Sequence, residues 1–124
     1  MAVVLIVEDE VFTRQNAEWM IEDLGHSTLL AGDPEEALAH LAKTGEIDAL
    51  FVDIRLGSAV RGGYAIADQA ILARPGLRVL YTSGSALTAD MADHFVGGGR
   101  FLQKPYSGGE LETALAGLLP PLAP

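Results

Sequence analysis

Two continuous runs of apolar residues predict strands that are buried on both faces. Residues 3–7 and 49–52 contain no polar side chain, and each run ends directly before an acidic residue. Unbroken runs of this kind are typical of strands inside a parallel sheet, whereas a strand with one face in water alternates apolar and polar residues. Three shorter segments, residues 27–31, 78–82 and 101–103, predict further strands.

Helical patterns fill the segments between these strands. Apolar residues at positions 17, 20, 21 and 24 fall on one face of a helix predicted over residues 11–24, which Gly25 ends. A second helix starts at Asp33, with Pro34 at its first position, and ends at Gly45. Three further helices are predicted over residues 64–73, 88–96 and 110–119.

The order of these elements predicts an α/β fold. A strand followed by a helix, five times over, favours a doubly wound parallel sheet with helices on both faces and right-handed crossovers. A length of 124 residues fits one domain, which we place at residues 1–119. The last five residues contain three prolines, so residues 120–124 are predicted to be a frayed tail.

Charge and composition narrow the possible partners. Seventeen acidic residues against eight basic ones give a formal charge of −9, which argues against direct binding of nucleic acid or of an anionic membrane surface. The absence of cysteine excludes disulfides, thiolate zinc sites and cysteine nucleophiles. No apolar run approaches the roughly 18 residues of a membrane span. We therefore expect a cytoplasmic protein whose compatible partners are small cations and basic protein surfaces.

Polar side chains collect at the predicted strand ends. Glu8 and Asp9 follow the first strand, Asp53 the third, Ser83 the fourth and Lys104 the fifth. The carboxyl ends of parallel strands share one edge of a sheet, which is where α/β proteins bind ligands. Two carboxylates about 4 Å apart repel by roughly 4 kcal/mol at an effective dielectric of 20, so the group must bind a cation, become protonated or be compensated by the charge of Lys104. Oxygen-only ligands favour Mg²⁺ or Mn²⁺, and a lysine beside a carboxylate nucleophile suits phosphoryl transfer.

These pieces, in this order, resemble the receiver domain of two-component response regulators over nearly the whole chain. The matching segments are LIVEDE, FVDIRL, YTSGS and FLQKPY. The resemblance implies a flavodoxin-like five-stranded sheet of strand order 2-1-3-4-5 with five helices. It also implies that Asp53 is the phosphoacceptor, that Asp9 is a direct Mg²⁺ ligand with Glu8 as its water-mediated partner, and that the backbone carbonyl of Arg55 is the remaining protein ligand.

The resemblance extends to the residues that respond to phosphorylation. Ser83 is similar to the switch hydroxyl, with Thr82 as a competing register, and Lys104 to the lysine that pairs with a phosphoryl oxygen. Phe101 matches the aromatic residue whose rotamer follows the switch. The Lys104-Pro105 bond resembles the family's cis peptide. The chain departs from the family where a proline is common, four residues after the acceptor, because Gly57 stands there.

Two aromatic residues of the first predicted helix lie off its apolar face. At 100° per residue, Trp19 lies about 160° from Ala17, and Phe12 is seven residues earlier. Such residues either fold over local surface or form a docking patch. Since the first helix of receiver domains commonly meets the kinase or phosphotransfer bundle, both are candidate kinase-docking residues.

We therefore expect a stand-alone phosphorelay regulator, a monomer or weak dimer. A sensor histidine kinase or histidine phosphotransfer protein would phosphorylate it, and an unidentified downstream protein would read the signal. The domain would assist its own phosphorylation and dephosphorylation without being an enzyme toward other substrates. Three alternatives remain open: an interaction module that no longer depends on phosphate, a receiver excised from a hybrid kinase, and a small-substrate phosphatase or phosphotransferase. The last of these usually has a second acid where Arg55 stands.

Overall fold

The computed structural model describes residues 2–43, 45–59 and 61–119, so the predicted tail lies outside the described residues. The strands are β1 Val3–Val7, β2 Ser27–Ala31, β3 Ala49–Asp53, β4 Arg78–Ser83 and β5 Arg100–Gln103. The helices are α1 Val11–Asp23, α2 Pro34–Ala42, α3 Gly62–Ala73, α4 Ala89–Asp93 and α5 Gly108–Leu118. The strands form one parallel sheet of order β2-β1-β3-β4-β5, which confirms the predicted fold class.

Alternation along each strand divides the apolar side chains between two cores. Leu5, Leu50 and Val79 lie in the core that packs against α2 and α3. Ile6 and Phe51, one residue along their strands, lie in the other core, which packs against α1 and α5. Both faces of the sheet are therefore covered, which explains why β1 and β3 contain no polar residue before their last position.

Capping residues mark the starts of α2 and α5. The Asp33 carboxylate accepts a hydrogen bond of 2.8 Å from the Glu36 backbone N–H, and Pro34 is the first residue of α2. α5 begins after Ser107, whose hydroxyl accepts from the Glu110 N–H at 3.1 Å while the Glu110 carboxylate accepts from the Ser107 N–H at 3.0 Å. This reciprocal cap includes two glycines in the first turn, so α5 starts two residues earlier than predicted.

The bounds of α3 and α4 differ from the prediction as well. α3 also begins with a glycine pair, at Gly62 instead of position 64. α4 covers only residues 89–93 of the predicted 88–96 and has no buried residue. Its single turn is capped by the Thr88 hydroxyl. Met91 of this turn is only partly buried, and the partly buried Phe95 and Val96 pack against the core from the non-helical segment that follows.

Gly63 occupies the tightest contact between α3 and the sheet. Its N–H donates to the Ile54 carbonyl at 2.8 Å, and a methyl group added at this position would lie 2.7 Å from the Ile54 Cα. The contact is with backbone, which cannot rotate away. Gly63 therefore sets the distance between α3 and the segment that immediately follows Asp53.

We expect Gly63→Ala to lower the free energy of unfolding by about 1–3 kcal/mol, because overpacking forces the backbone to shift. Gly117→Ala in α5 is the matched control, since nothing lies within 4 Å of a methyl group there. The control should be neutral or stabilising by up to about 1 kcal/mol. Urea denaturation measures both variants, and equal effects would contradict the packing argument.

Candidate functional site

The site is built by strand alternation on the face that packs against α1 and α5. On each of the four strands β1, β3, β4 and β5, an apolar residue of that core is followed two positions later by a polar residue. The pairs are Ile6 and Glu8, Phe51 and Asp53, Leu80 and Thr82, Leu102 and Lys104. Because side chains on a strand alternate with a period of two, the four polar residues share one face at the carboxyl edge of the sheet. We call Glu8, Asp53, Thr82 and Lys104 the polar layer.

Lys104 joins two of the acidic residues in this layer. Its Nζ lies 2.5 Å from Glu8 Oε1 and 2.7 Å from Asp53 Oδ2. The two carboxylates are almost fully enclosed, with side chains 5% and 8% exposed, whereas the Lys104 side chain is 24% exposed. Hydrogen bonds between ionised groups are the strong ones, and one amine compensates here for two buried acids.

Backbone N–H groups hold the remaining carboxylate oxygens. Asp53 Oδ1 accepts from the Arg55 N–H at 3.1 Å, so both oxygens of Asp53 are engaged. Asp9 is exposed and its Oδ2 accepts from the Gly57 N–H at 2.8 Å. Gly57 has a φ of +58°, a conformation that glycine adopts without strain. The glycine that replaces the family's common proline therefore supplies a donor that proline lacks.

Burial and charge act in opposite directions on the pKa values of Glu8 and Lys104. Burial raises the pKa of Glu8 to about 7, although the hydrogen bond from Lys104 opposes this shift. Burial lowers the pKa of Lys104, but its hydrogen bonds to Asp53 and Glu8 outweigh burial, so the net shift is upward. Lys104 therefore remains charged and offsets part of the negative charge of the acidic cluster.

The three acids form a cluster of the size that one ion occupies. One carboxylate oxygen from each of Glu8, Asp9 and Asp53 lies within 4.8 Å of the others. The cluster faces an open cleft of about 370 Å³ that is also lined by Arg55, Ser83 and Lys104. A set of oxygen donors without nitrogen or sulfur fits a hard cation such as Mg²⁺ or Mn²⁺.

The two candidate hydroxyls lie in different places. Ser83 lines the cleft, and its Oγ accepts from the Ser85 N–H at 3.1 Å. Thr82, the preceding residue of β4, is buried on the same face as Asp53 and does not line the cleft. The Lys104-Pro105 bond is cis, and the Lys104 N–H donates to the Ser83 carbonyl at 2.8 Å. The loop after β4 and the end of β5 are thus joined directly beside the cleft.

Phe101 belongs to an aromatic stack that borders α4. It is half-buried, and its ring centroid lies 6.3 Å from that of Phe95 with an angle of 18° between the planes. Phe95 in turn stacks on Tyr81 at 4.2 Å and 12°. The Tyr81 hydroxyl accepts from the Val96 N–H at 2.9 Å. The predicted switch residue is therefore linked through ring contacts to the segment that follows α4.

The predicted docking residues lie on α1, outside the cleft. Phe12 is 73% exposed and Trp19 is 55% exposed, whereas Ala17 and Ile21 of the same helix are buried. This confirms that both aromatic side chains lie off the apolar face of the helix. Neither lines the cleft.

Sequence reasoning does not identify two contacts of the site. Arg14 of α1 donates from Nη1 to the backbone carbonyl of Glu8 at 2.8 Å and so holds the turn that presents the acidic pair. The Gly57 N–H holds Asp9. A glycine at a position where the family has proline is a visible signal for the second contact. No spacing rule connects Arg14 to a carbonyl six residues away across a turn.

Comparison with known proteins agrees with this geometry. Residues 4–116 match the family described as Response regulator receiver domain. A response regulator receiver protein from Sinorhizobium medicae WSM419 is similar in structure, with a TM-score of 0.83, 25% identity, and coverage of 93% of this chain and 91% of that one. The chemotaxis protein CheY4 of Vibrio cholerae has a TM-score of 0.87 and 24% identity, with coverage of 96% and 99%.

A longer protein is also similar. NtrX from Brucella abortus has a TM-score of 0.79 and 29% identity, and the match covers 95% of this chain but 26% of that one. No curated protein matches the sequence. Among the described residues, none of the helices combines the length and apolar character that crossing a membrane requires.

We expect Glu8→Gln to stabilise the protein without divalent cations at pH 8 by about 1–3 kcal/mol. The folded-state pKa of Glu8, about 7, lies above its ordinary value of 4.5, so ionisation of Glu8 lowers wild-type stability as the pH rises from about 4.5 to 7. Glutamine removes this penalty, and Asp53 remains a partner for Lys104. Denaturation in EDTA measures the effect.

The gain should shrink as the pH falls below 7, because protonated Glu8 then resembles glutamine. Glu112→Gln, at an exposed position of α5, serves as the control and should show no gain at either pH. A Glu8→Gln variant that is less stable than wild type at pH 8 would contradict the assignment of a burial penalty to Glu8.

Proposed function

Because the chain belongs to the family of response regulator receiver domains, we propose that it is a two-component phosphoacceptor in which Asp53 receives a phosphoryl group from a histidine kinase or phosphotransfer protein. Receiver domains are phosphorylatable switches and not enzymes that turn over a separate substrate. The observation that supports this proposal is the position of Asp53, which faces an open cleft beside an amine 2.7 Å away and two further acids.

A divalent cation completes the proposed site. Asp9 and Asp53 would ligate Mg²⁺ or Mn²⁺ directly, together with the backbone carbonyl of Arg55, and Glu8 would act through a water molecule. The oxygen-only donor set and the 4.8 Å cluster fit this ion. When bound, the ion neutralises negative charge on the oxygens of the transferring phosphoryl group.

The chain's own residues have three tasks in the proposed transfer. An Asp53 oxygen forms a P–O bond while the P–N bond to the donor imidazole breaks, and the bonding electron pair stays on the imidazole nitrogen. The Arg55 N–H and Lys104 orient the carboxylate before attack. Once Asp53 carries the phosphoryl group, its carboxylate charge no longer holds Lys104. Lys104 then pairs with a phosphoryl oxygen.

Ser83 and Phe101 would respond to phosphorylation of Asp53. An acyl phosphate adds up to about two negative charges and three strong acceptors, and the Ser83 hydroxyl lines the same cleft. Thr82 does not line this cleft, which favours Ser83 as the responding hydroxyl. Phe101 would follow the movement of Ser83, and a downstream protein would bind the surface that changes. We place the phosphotransfer and the binding of the downstream protein in the cytoplasm, as the resemblance implies.

Acetyl phosphate tests the proposed acceptor without a kinase. With Mg²⁺ present, we expect one phosphoryl group per chain on the wild-type protein, none on Asp53→Asn, and normal labelling of Asp68→Asn, an exposed aspartate of α3. EDTA should abolish labelling, since the ion neutralises charge in the transition state. Phosphate incorporation by intact-protein mass spectrometry at short times measures the result.

The other outcomes distinguish the alternatives. A wild-type chain that is never labelled would be an interaction module that does not depend on phosphate. Sustained turnover of an added phosphoester would indicate a phosphatase. Label that persists in Asp53→Asn would place the acceptor at another residue.

Trp19→Ala should slow phosphotransfer from the partner kinase roughly tenfold or more, as expected for a large apolar anchor at an interface. Labelling by acetyl phosphate should stay unchanged, because Trp19 does not line the cleft. Leu72→Ala is the matched control, since Leu72 of α3 is 83% exposed but lies on another helix. Phosphotransfer profiling against the histidine kinases of the source organism identifies the donor. Equal rates for wild type and Trp19→Ala would remove Trp19 from the docking surface.

A further inference from the structure

Thr82 is a buried polar residue that the proposed phosphoryl transfer does not use. It is 4% exposed, and its Oγ1 has no hydrogen-bond partner within the part of the chain that the structure describes. A buried hydroxyl without a partner is unfavourable, because folding removes its bonds to water. An apolar residue of the same shape would avoid that penalty, so the hydroxyl at this position calls for a physical explanation.

The position of Thr82 in the sheet places its hydroxyl within the polar layer. Thr82 pairs in register with Asp53 on β3 and with Leu102 on β5. Two residues earlier on β4, Leu80 lies in the core between the sheet and the helices α1 and α5. Thr82 is therefore the neighbour of the proposed phosphoacceptor on the face that packs against α1 and α5, and it does not line the open cleft.

A small cavity connects Thr82 with Glu8. The cavity measures about 10 Å³ and is lined by both residues, close to the smallest space that holds one water molecule. The apolar part of its remaining walls is formed by Ile6, Val7, Ala17 and Phe51, and Thr13 and Tyr106 complete them. The two oxygens of Glu8 already accept from Lys104 and from the Glu10 N–H. A carboxylate oxygen has two lone pairs, so Glu8 retains capacity for a further donor.

We infer that this cavity binds one water molecule that accepts a hydrogen bond from the Thr82 hydroxyl and donates one to the Glu8 carboxylate. The water satisfies the buried hydroxyl, and it fixes the orientation of Glu8 from behind the cleft. Thr82 is thereby a positioning residue that acts through Glu8. The effect on Mg²⁺ rests on the proposed function, whereas the water site itself does not.

Two substitutions separate the hydroxyl from the shape of the side chain. Thr82→Val keeps the volume and removes the hydroxyl, whereas Thr82→Ser keeps the hydroxyl. In a high-resolution crystal structure of the wild type, we expect an ordered water within about 3.2 Å of Thr82 Oγ1 and of a Glu8 oxygen. This water should be absent in Thr82→Val and present in Thr82→Ser.

Mg²⁺ affinity, measured by isothermal titration calorimetry, tests the positioning role. We expect Thr82→Val to weaken Mg²⁺ binding roughly tenfold, as loss of a partner that orients a ligand does. Thr82→Ser should restore the affinity to within about twofold of wild type. A water seen in the crystal together with unchanged Mg²⁺ affinity in Thr82→Val would overturn the positioning role.

The melting temperature without metal distinguishes failure of this inference from failure of the proposed function. If the water bridges Thr82 and Glu8, Thr82→Val melts below wild type, because the Glu8 carboxylate loses a donor. If the hydroxyl has no partner, Thr82→Val melts above wild type and the water site is overturned. A wild-type protein that binds no Mg²⁺ would contradict the proposed metal site, while the crystal and melting measurements would still decide the water.

Discussion

Lys104 holds together three strand ends that would otherwise carry only negative charge. Its ammonium group reaches a carboxylate 96 residues away in the sequence on one side and one 51 residues away on the other. Without it, the buried acids would repel by several kcal/mol, since two charges about 4 Å apart interact by roughly 4 kcal/mol at an effective dielectric of 20. This contact therefore couples the ends of β1, β3 and β5, and the geometry of the acidic cluster depends on it.

The unfavourable free energy of the buried charges is offset by a well-packed apolar layer that lies directly beneath the site. Ile6, Phe51 and Leu80 are at most 2% exposed, and burial of such side chains contributes about 1.5–3 kcal/mol each. Glu8, Asp53 and Lys104, each two positions beyond an apolar residue of this layer, concentrate charge at the edge of the sheet. Stability supplied by the core thus permits an arrangement that is unfavourable by itself, a compromise that functional sites commonly show.

The sequence predicts the sheet and its acidic edge well, because both depend on patterns that are local. Unbroken apolar runs identify β1 and β3, and the acids that follow them mark the edge. Glycine pairs mislead at α3 and α5, because glycine is read as a loop residue although Gly62 and Gly108 begin helices. Hydrogen bonds across turns, such as that from Arg14 to the Glu8 carbonyl, depend on tertiary geometry. They produce no periodic pattern in the sequence.

The ring stack of Tyr81, Phe95 and Phe101 has a mechanical consequence. Flat rings in contact at 12° and 18° cannot turn one at a time without opening gaps between them, and such gaps forfeit dispersion energy. A reorientation of Phe101 thus involves Phe95 and the peptide group of Val96 that is bonded to Tyr81. The ring stack therefore couples the orientation of Phe101 to the packing of the segment that borders α4.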